Sequence, residues 1–370
     1  MDVTFLNPVF WPEVRRGSER VIRELADGLL AAGHRPRLIT SRAGGSPRPV
    51  TSLEDGLTVT RVWRPPVEGR LRRRLYEEHL AHVPLTYAAL RRDPRPAVVQ
   101  PCYATDAAAA LRYKRATGVP VVFSYMGLPH RVSLANRRLR KELVVKACAE
   151  SDAVVALSEL AAEHFRTWLG VDPRVIAPPV DVDTFTPAAD PAAARTEAPT
   201  ILCAADHTQP RKRVGLLVDA LALVRREHPG ARLVLTRVAS AGGVGSWPAD
   251  GVDEVDLDDR AALAAANRSA WVHALPSVGE AFGLVLAEAL ACGTPVVGAQ
   301  AEVVGVEDGT GVLFPAEADT PEQLAAALLA AIDLTRDPQT AARCVARAQR
   351  FSRAACAEAH LALYRELGAG

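Results

Sequence analysis

A chain of 370 residues has room for two domains of ordinary size. Its 49% apolar and 24% charged residues give a globular balance, and a net charge of +1 excludes a global field that would gather nucleic acid. No apolar run reaches the ~18 residues that cross a bilayer, the N-terminus lacks a basic, signal-like start, and the six cysteines (Cys102, Cys148, Cys203, Cys292, Cys344, Cys356) stand apart, which fits reduced thiols in a cytoplasmic protein and argues against a zinc site.

Residues 3–6 read as a short apolar strand. A wide loop follows. Ser18 can then cap a helix in which Val21, Ile22, Leu25, Leu29 and Leu30 share one face, with Gly33 closing it. Residues 37–40 return as a strand, so the chain opens with a βαβ unit. Residues 64–74 are basic. Their plain reading is a solvated face; the functional one is contact with an anionic acceptor or a membrane surface, a peripheral contact at the inner face of the membrane. Strands at 97–100, 119–124 and 153–157 alternate with helices at 104–115, 137–148 and 159–169, the last capped by Ser158.

An Ala/Pro/Asp linker at 188–199 separates the halves. In the second half, strands at 200–205, 231–237 and 251–256 alternate with helices at 216–227 and 260–267, the latter capped by Asp258-Asp259. A basic cluster that includes Arg211 and Lys212 precedes the first of these helices. Residues 239–250 are Gly-rich and loop-like. Helices are expected at 321–334, 338–350 and 351–367. No repeat is evident at a 20–50 residue period.

The most informative stretch is 276–298. A buried strand at 271–275 leads into it and another at 294–298 leaves it. Between them, 284–291 holds only helix formers apart from Val285, and Cys292-Gly293 stops the helix. Gly279 and Gly283 let the backbone approach a ligand. The amides of Phe282, Gly283, Leu284 and Val285 would gather at the helix N-terminus, where the dipole's roughly half positive charge suits a phosphate. Glu280 and Glu288 flank those amides, and a carboxylate accepts well from paired sugar hydroxyls. Taken alone, a loop Glu and a helix Glu are solvated groups; the whole constellation is more specific than the pair.

That constellation, E-A-F-G-L-V-L-A-E from Glu280 to Glu288 followed by A-C-G-T-P-V-V, closely resembles the E-x7-E signature of the retaining nucleotide-sugar glycosyltransferases of family 4. The resemblance implies an α/β protein of the GT-B fold. Two Rossmann-like, doubly wound domains would face a cleft: an acceptor-binding domain at 1–185 joined by the C-terminal helix 352–370, which crosses back, and a nucleotide-sugar-binding domain at 186–351. It assigns the ribose hydroxyls to Glu288, the diphosphate to the backbone of Phe282, Gly283 and Leu284, and the donor sugar to Glu280. Lys212 matches the family lysine that neutralises the diphosphate. His207 stands where relatives carry its partner arginine, and Arg211 can compensate because a guanidinium grips phosphate in two places.

Several positions depart from the family pattern. Relatives carry Gly-Gly facing the donor phosphates; here it is Arg16-Gly17, and Arg16 either approaches a phosphate or is solvated. Met126 stands before Gly127, where many relatives place a His that reaches the sugar C6 hydroxyl. A thioether is a poor acceptor, so either a 6-deoxy sugar rests against Met126, His130 takes over, or Met126 only packs. Residues 299–307 lack the usual Gly-Gly pair. Pro178-Pro179 replaces Asn-Gly in the interdomain passage. The triplet Asp181-Val-Asp183 there is a register match to that passage rather than a metal motif.

The expected activity is a metal-independent, retaining hexosyl transfer from a nucleotide-diphosphate sugar to a hydroxyl acceptor, whether glycan, lipid or natural product, with no cofactor. The rival readings are a GT-B epimerase or phosphorylase and an inactive sugar-nucleotide binder. A dehydrogenase is discounted, because no strand is followed by G-x-G-x-x-G with an acid ~20 residues on.

Overall fold

The computed structural model describes residues 1–14, 17–66, 74–238, 249–299, 309–315 and 320–369. The expectations for Arg16, for the basic stretch 67–73, for the Gly-rich segment 239–248 and for the loop 300–308 lie outside the described residues. The chain forms two compact units, Met1–Pro179 with Arg353–Gly370, and Val180–Ser352. The change of unit falls after Pro179 rather than after Phe185. The reason is local. The Val180 amide donates to the Phe351 carbonyl at 2.7 Å, buried Asp181 pairs with Arg260 at 3.2 Å, and the Arg260 guanidinium covers the buried Phe185 ring.

In the first unit the strands are β1 (Asp2–Leu6), β2 (Arg35–Ala43), β3 (Val50–Glu54), β4 (Leu57–Arg64), β5 (Val98–Pro101), β6 (Val122–Ser124), β7 (Ala153–Ala156) and β8 (Arg174–Val175). They pair in the orders β3-β4-β2-β1-β5 and β6-β7-β8, and a bridge between Val99 and Val121 links the two sets. Among the described residues every strand pairing of this unit is parallel except β3–β4. That hairpin, absent from the sequence expectations, turns on Asp55-Gly56. Both residues have positive φ, 46° and 83°, as a two-residue primed turn requires. The apolar runs of β1 and β5 are buried along their length, as befits a sheet covered on both faces.

The helix Gly17–Ala31 starts two residues before Glu19, the first helical residue that a cap at Ser18 would give. Ser18 lies in the first turn, and its Oγ donates to Glu19 Oε1 at 3.0 Å. The C-terminal helix Arg353–Glu366 belongs to this unit. Its Leu361 and Tyr364 share a core with Ile22, Leu25 and Leu29, Arg353 pairs with the buried Glu24, and the Tyr364 hydroxyl donates to Gln100. Gly28 sets how closely the two helices approach. A Cβ there would stand 2.6 Å from the Arg353 carbonyl oxygen. Gly28→Ala is therefore expected to destabilise the protein by about 1–3 kcal/mol through overpacking, read as a lowered midpoint in thermal denaturation.

The second unit contains β9 (Thr200–Cys203), β10 (Arg232–Thr236), β11 (Val252–Val255), β12 (Val272–Leu275), β13 (Val296–Gly298) and β14 (Gly311–Leu313). Among the described residues they form one parallel sheet in the order β11-β10-β9-β12-β13-β14. Numbered from β9, that is the 3-2-1-4-5-6 order of a dinucleotide-binding fold. The order reverses between β9 and β12, so the loops leaving those two strands frame the place where open α/β sheets bind ligands. Beneath them, buried His273 on β12 meets Asn267 at 2.7 Å, and burial pushes its imidazole down to about 3, so it stays neutral.

Candidate active site

The loop after β9 is shaped by Asp206, which sequence reading passed over. Its carboxylate accepts from the Thr208 amide at 3.0 Å, the Thr208 hydroxyl at 2.6 Å and the Gln209 amide nitrogen at 2.7 Å. The sequence signal was an Asp two residues before a Thr, an Asx-turn pattern. A short 3-10 turn, Pro210–Lys212, follows, and Arg213 takes a left-handed φ of 51° to enter the helix Val214–Glu227. The Arg213 side chain donates to the Pro276 carbonyl at 2.7 Å, and the Val278 amide donates to the Arg211 carbonyl at 3.0 Å. These two bonds stitch the β9 loop to the β12 loop. His207 is half-buried in the same turn.

The two loops bring three predicted residues together. Lys212 Nζ lies 2.5 Å from Glu280 Oε1, and an Arg211 guanidinium nitrogen lies 2.9 Å from the same oxygen. The Lys212 and Glu280 side chains are 14% and 15% exposed, whereas Arg211 is 47% exposed, so the lysine pair is the less screened. Burial alone would raise the Glu280 carboxyl. Lys212 and Arg211 outweigh it and hold the group below the ordinary carboxylate range. Glu280 adds stability that is fully present above the unfolded value, ~4.3, and is lost as pH falls through its lower folded value. The melting points of wild type and Glu280→Gln should therefore converge on acidification below that range.

The helix Leu284–Ala291 begins at Gly283, whose φ of 82° is left-handed and which offers no side chain to cap the first-turn amides. Those N–H groups thus lack a side-chain acceptor from the cap position, the condition under which a helix start takes an anion. Gly279, with φ of 71°, makes the turn before Glu280. Phe282 is 5% exposed and packs edge-on against Phe351 at 5.1 Å. Its ring anchors the loop, which leaves only its backbone to meet a ligand. Glu288 is 2% exposed within an otherwise apolar helix. That burial removes the solvated-face reading of this residue.

In the first unit, Gly17 is an exposed residue at the head of its helix. Met126 and Gly127 line a pocket of about 250 Å3 at the carboxyl ends of β5 and β6. Met126 is partly buried against the core. His130 is engaged in local structure: its Nδ1 accepts from the Ser133 amide at 3.4 Å and caps the short helix Arg131–Ala135. The pocket also holds Glu77, Tyr103 and Arg140, which sequence reading did not find. Glu77 and Arg140 lie in no shared motif, and no signal in the chain pairs them. Asp181 of the D-x-D triplet is held by Arg260 and by the amides of Asp183 and Thr184, a turn-forming role.

Residues 15–184 match the family model described as Glycosyltransferase Family 4, and residues 198–333 match Glycosyl transferases group 1. The D-inositol 3-phosphate glycosyltransferase of Kineococcus radiotolerans is 32% identical over 94% of this chain and 90% of its own. The phosphatidyl-myo-inositol mannosyltransferase of Mycobacterium tuberculosis is 36% identical over 47% of each chain. Among solved structures, sucrose-phosphate synthase from Thermosynechococcus elongatus superposes with a TM-score of 0.79 at 20% identity, covering 100% of this chain and 99% of that one. Anabaena HepE in complex with UDP-glucose gives 0.74 at 17% identity, over 99% and 100%.

Proposed function

The chain belongs to glycosyltransferase family 4 and has the GT-B fold; from that premise we propose a metal-independent, retaining transfer of a hexosyl group from a nucleoside-diphosphate sugar to a hydroxyl acceptor. One observation carries the reading. At the switch point of the second sheet, Lys212 and Arg211 converge on Glu280, in the loop that leads into the helix Leu284–Ala291, whose cap residue Gly283 has no side chain to offer. Two cations and a helix N-terminus at one place suit a diphosphate that gains charge as it departs.

In the proposed step, the bond between the anomeric carbon and the diphosphate oxygen breaks with its electron pair going to the diphosphate. The acceptor hydroxyl oxygen bonds to the same face of that carbon, and its proton passes to the departing diphosphate. Lys212, Arg211 and the backbone at 282–284 stabilise the leaving charge. Glu280 faces the donor sugar, Glu288 receives the ribose hydroxyls, and His207 contributes to the donor site. The scattered, buried, unpaired cysteines are in keeping with a cytoplasmic setting.

The test is incubation with a panel of UDP-, GDP- and ADP-sugars, 6-deoxy donors included, with mass spectrometry of retained nucleotides and of products. Donor consumption with a product that keeps the donor's anomeric configuration by NMR, unaffected by EDTA, is the expected result. A product of inverted configuration overturns retention, and loss of turnover in EDTA overturns metal independence. Nucleotide binding without turnover on any acceptor would favour an inactive binder. A ribose contact through Glu288 also has its own signature. Glu288→Gln should raise the donor KM about 10- to 100-fold, the value of one to two charge-assisted hydrogen bonds, with kcat changed far less.

A further inference from the structure

The pocket in the first unit lies at the carboxyl ends of β5 and β6, next to the point where that sheet's strand order reverses between β1 and β5. At about 250 Å3 it sits below the ~300–1,000 Å3 of drug-sized sites. It therefore holds one small ring rather than a polymer. Its apolar wall comes from Met126 and Val144, and its polar groups are the hydroxyls of Ser18, Tyr103 and Tyr125. Such a mixture meets the C–H faces and the hydroxyls of a polyol together.

The charges in the pocket cancel. Arg140 grips Glu77 through two nitrogens, Nε on one oxygen and a terminal nitrogen on the other at 2.7 Å. Glu77 is 1% exposed and also accepts from the Tyr103 hydroxyl at 3.3 Å and the Glu78 amide at 3.0 Å. Burial and the Glu77 charge push the Tyr103 phenol up, so it stays protonated and donates. The neighbouring pair, Arg137 and Glu78 at 3.0 Å, cancels in the same way. A phosphate entering this pocket would meet a buried carboxylate. To reach Arg140 it would have to strip the guanidinium from Glu77 and leave that acid buried and unpaired.

Resting on the glycosyltransferase reading above, we propose that this pocket takes the acceptor and selects an uncharged polyhydroxylated ring over its phosphorylated counterpart, with the Glu77–Arg140 pair setting that choice. Glu77 acts here as a specificity residue. It is not a catalytic one, because it works by neutralising Arg140.

The experiment measures binding and transfer for matched pairs: myo-inositol against inositol 3-phosphate, glucose against glucose 6-phosphate, and mannose against mannose 6-phosphate. Binding is read by ligand-observed NMR with nucleoside diphosphate present, and transfer as kcat/KM. The neutral member of at least one pair should win by about tenfold or more. Glu77→Gln, which unmasks the Arg140 charge, should shift the ratio by a similar factor toward the phosphorylated member. Phosphorylated rings bound as well as or better than their neutral partners in every pair by the wild type overturn the proposal. So does an unchanged ratio in a folded Glu77→Gln, or a failure of every neutral ring to bind. If that variant does not fold, the wild-type ratio decides alone. Nucleotide binding and donor hydrolysis without acceptor report separately on the second unit. Their loss with polyol selection intact counts against the glycosyltransferase reading and leaves the pocket assignment standing.

Discussion

Lys212→Ala is expected to lower kcat/KM for sugar transfer by about 10²–10³-fold, the effect of removing one preorganised donor from a developing anion. The ground is position. Lys212 ends the turn that Asp206 organises, is 14% exposed, and meets Glu280 in the loop that leads into the helix after Gly283. A cation held there before the reaction needs no reorganisation as the diphosphate departs. The fold should survive, because Glu280 keeps Arg211 at 2.9 Å, and the stability cost should be of order 1 kcal/mol. Arg211→Ala should cost less than Lys212→Ala, since Arg211 is 47% exposed and its field is screened by water. Lys212→Arg should recover only part of the activity, because a planar fork does not replace a compact ammonium at the same reach. Stopped assays of nucleoside diphosphate release, with circular dichroism as the folding check, read all three. Full turnover in a folded Lys212→Ala would remove the diphosphate from this end of the sheet.

What the sequence disclosed follows the range of the interactions involved. The helix Leu284–Ala291 was legible to its ends, because its signals are local: helix formers, then Cys292-Gly293. The helix Pro321–Leu334 was equally plain from its leading proline. The hairpin of β3 and β4 was missed although Asp55-Gly56 announces it. The surrounding residues 41–95 gave no motif to frame it, and β3 is largely exposed, so its apolar alternation is weak. The burial of Glu288 was not legible, since a Glu on a helix reads as solvated until the packing on both sides of that helix is known. The pairing of Glu77 with Arg140 was invisible for the same kind of reason: a backbone bridge between Tyr76 and Arg138 brings them together across a long separation in sequence. The sequence also named Lys212, Arg211 and Glu280 one by one. It could not disclose that the two cations close on the acid, because that contact depends on β9 and β12 being neighbours.

That contact makes Glu280→Gln the variant with the most distinctive expected result: nucleoside diphosphate binds more tightly while transfer falls. Glu280 holds Lys212 and Arg211 through one oxygen and cancels part of the charge a diphosphate would seek. Two like charges ~6 Å apart repel by about 3 kcal/mol at an effective dielectric of 20, and solvent at the exposed Arg211 reduces this. A gain of roughly tenfold in affinity for UDP, GDP or ADP, about 1.4 kcal/mol, is the realistic remainder. Turnover should move the other way, by about 10²-fold, because the carboxylate that would face the donor sugar is gone and its contribution to the transition state goes with it. Damage to the fold would weaken binding and turnover together, so opposite signs separate the electrostatic account from a structural one. Raising the salt concentration should narrow the affinity gap between the two proteins as the charges are screened. If Glu280→Gln binds nucleoside diphosphate no better than wild type at low salt, the diphosphate does not settle on these cations, and Glu280 is simply their permanent partner.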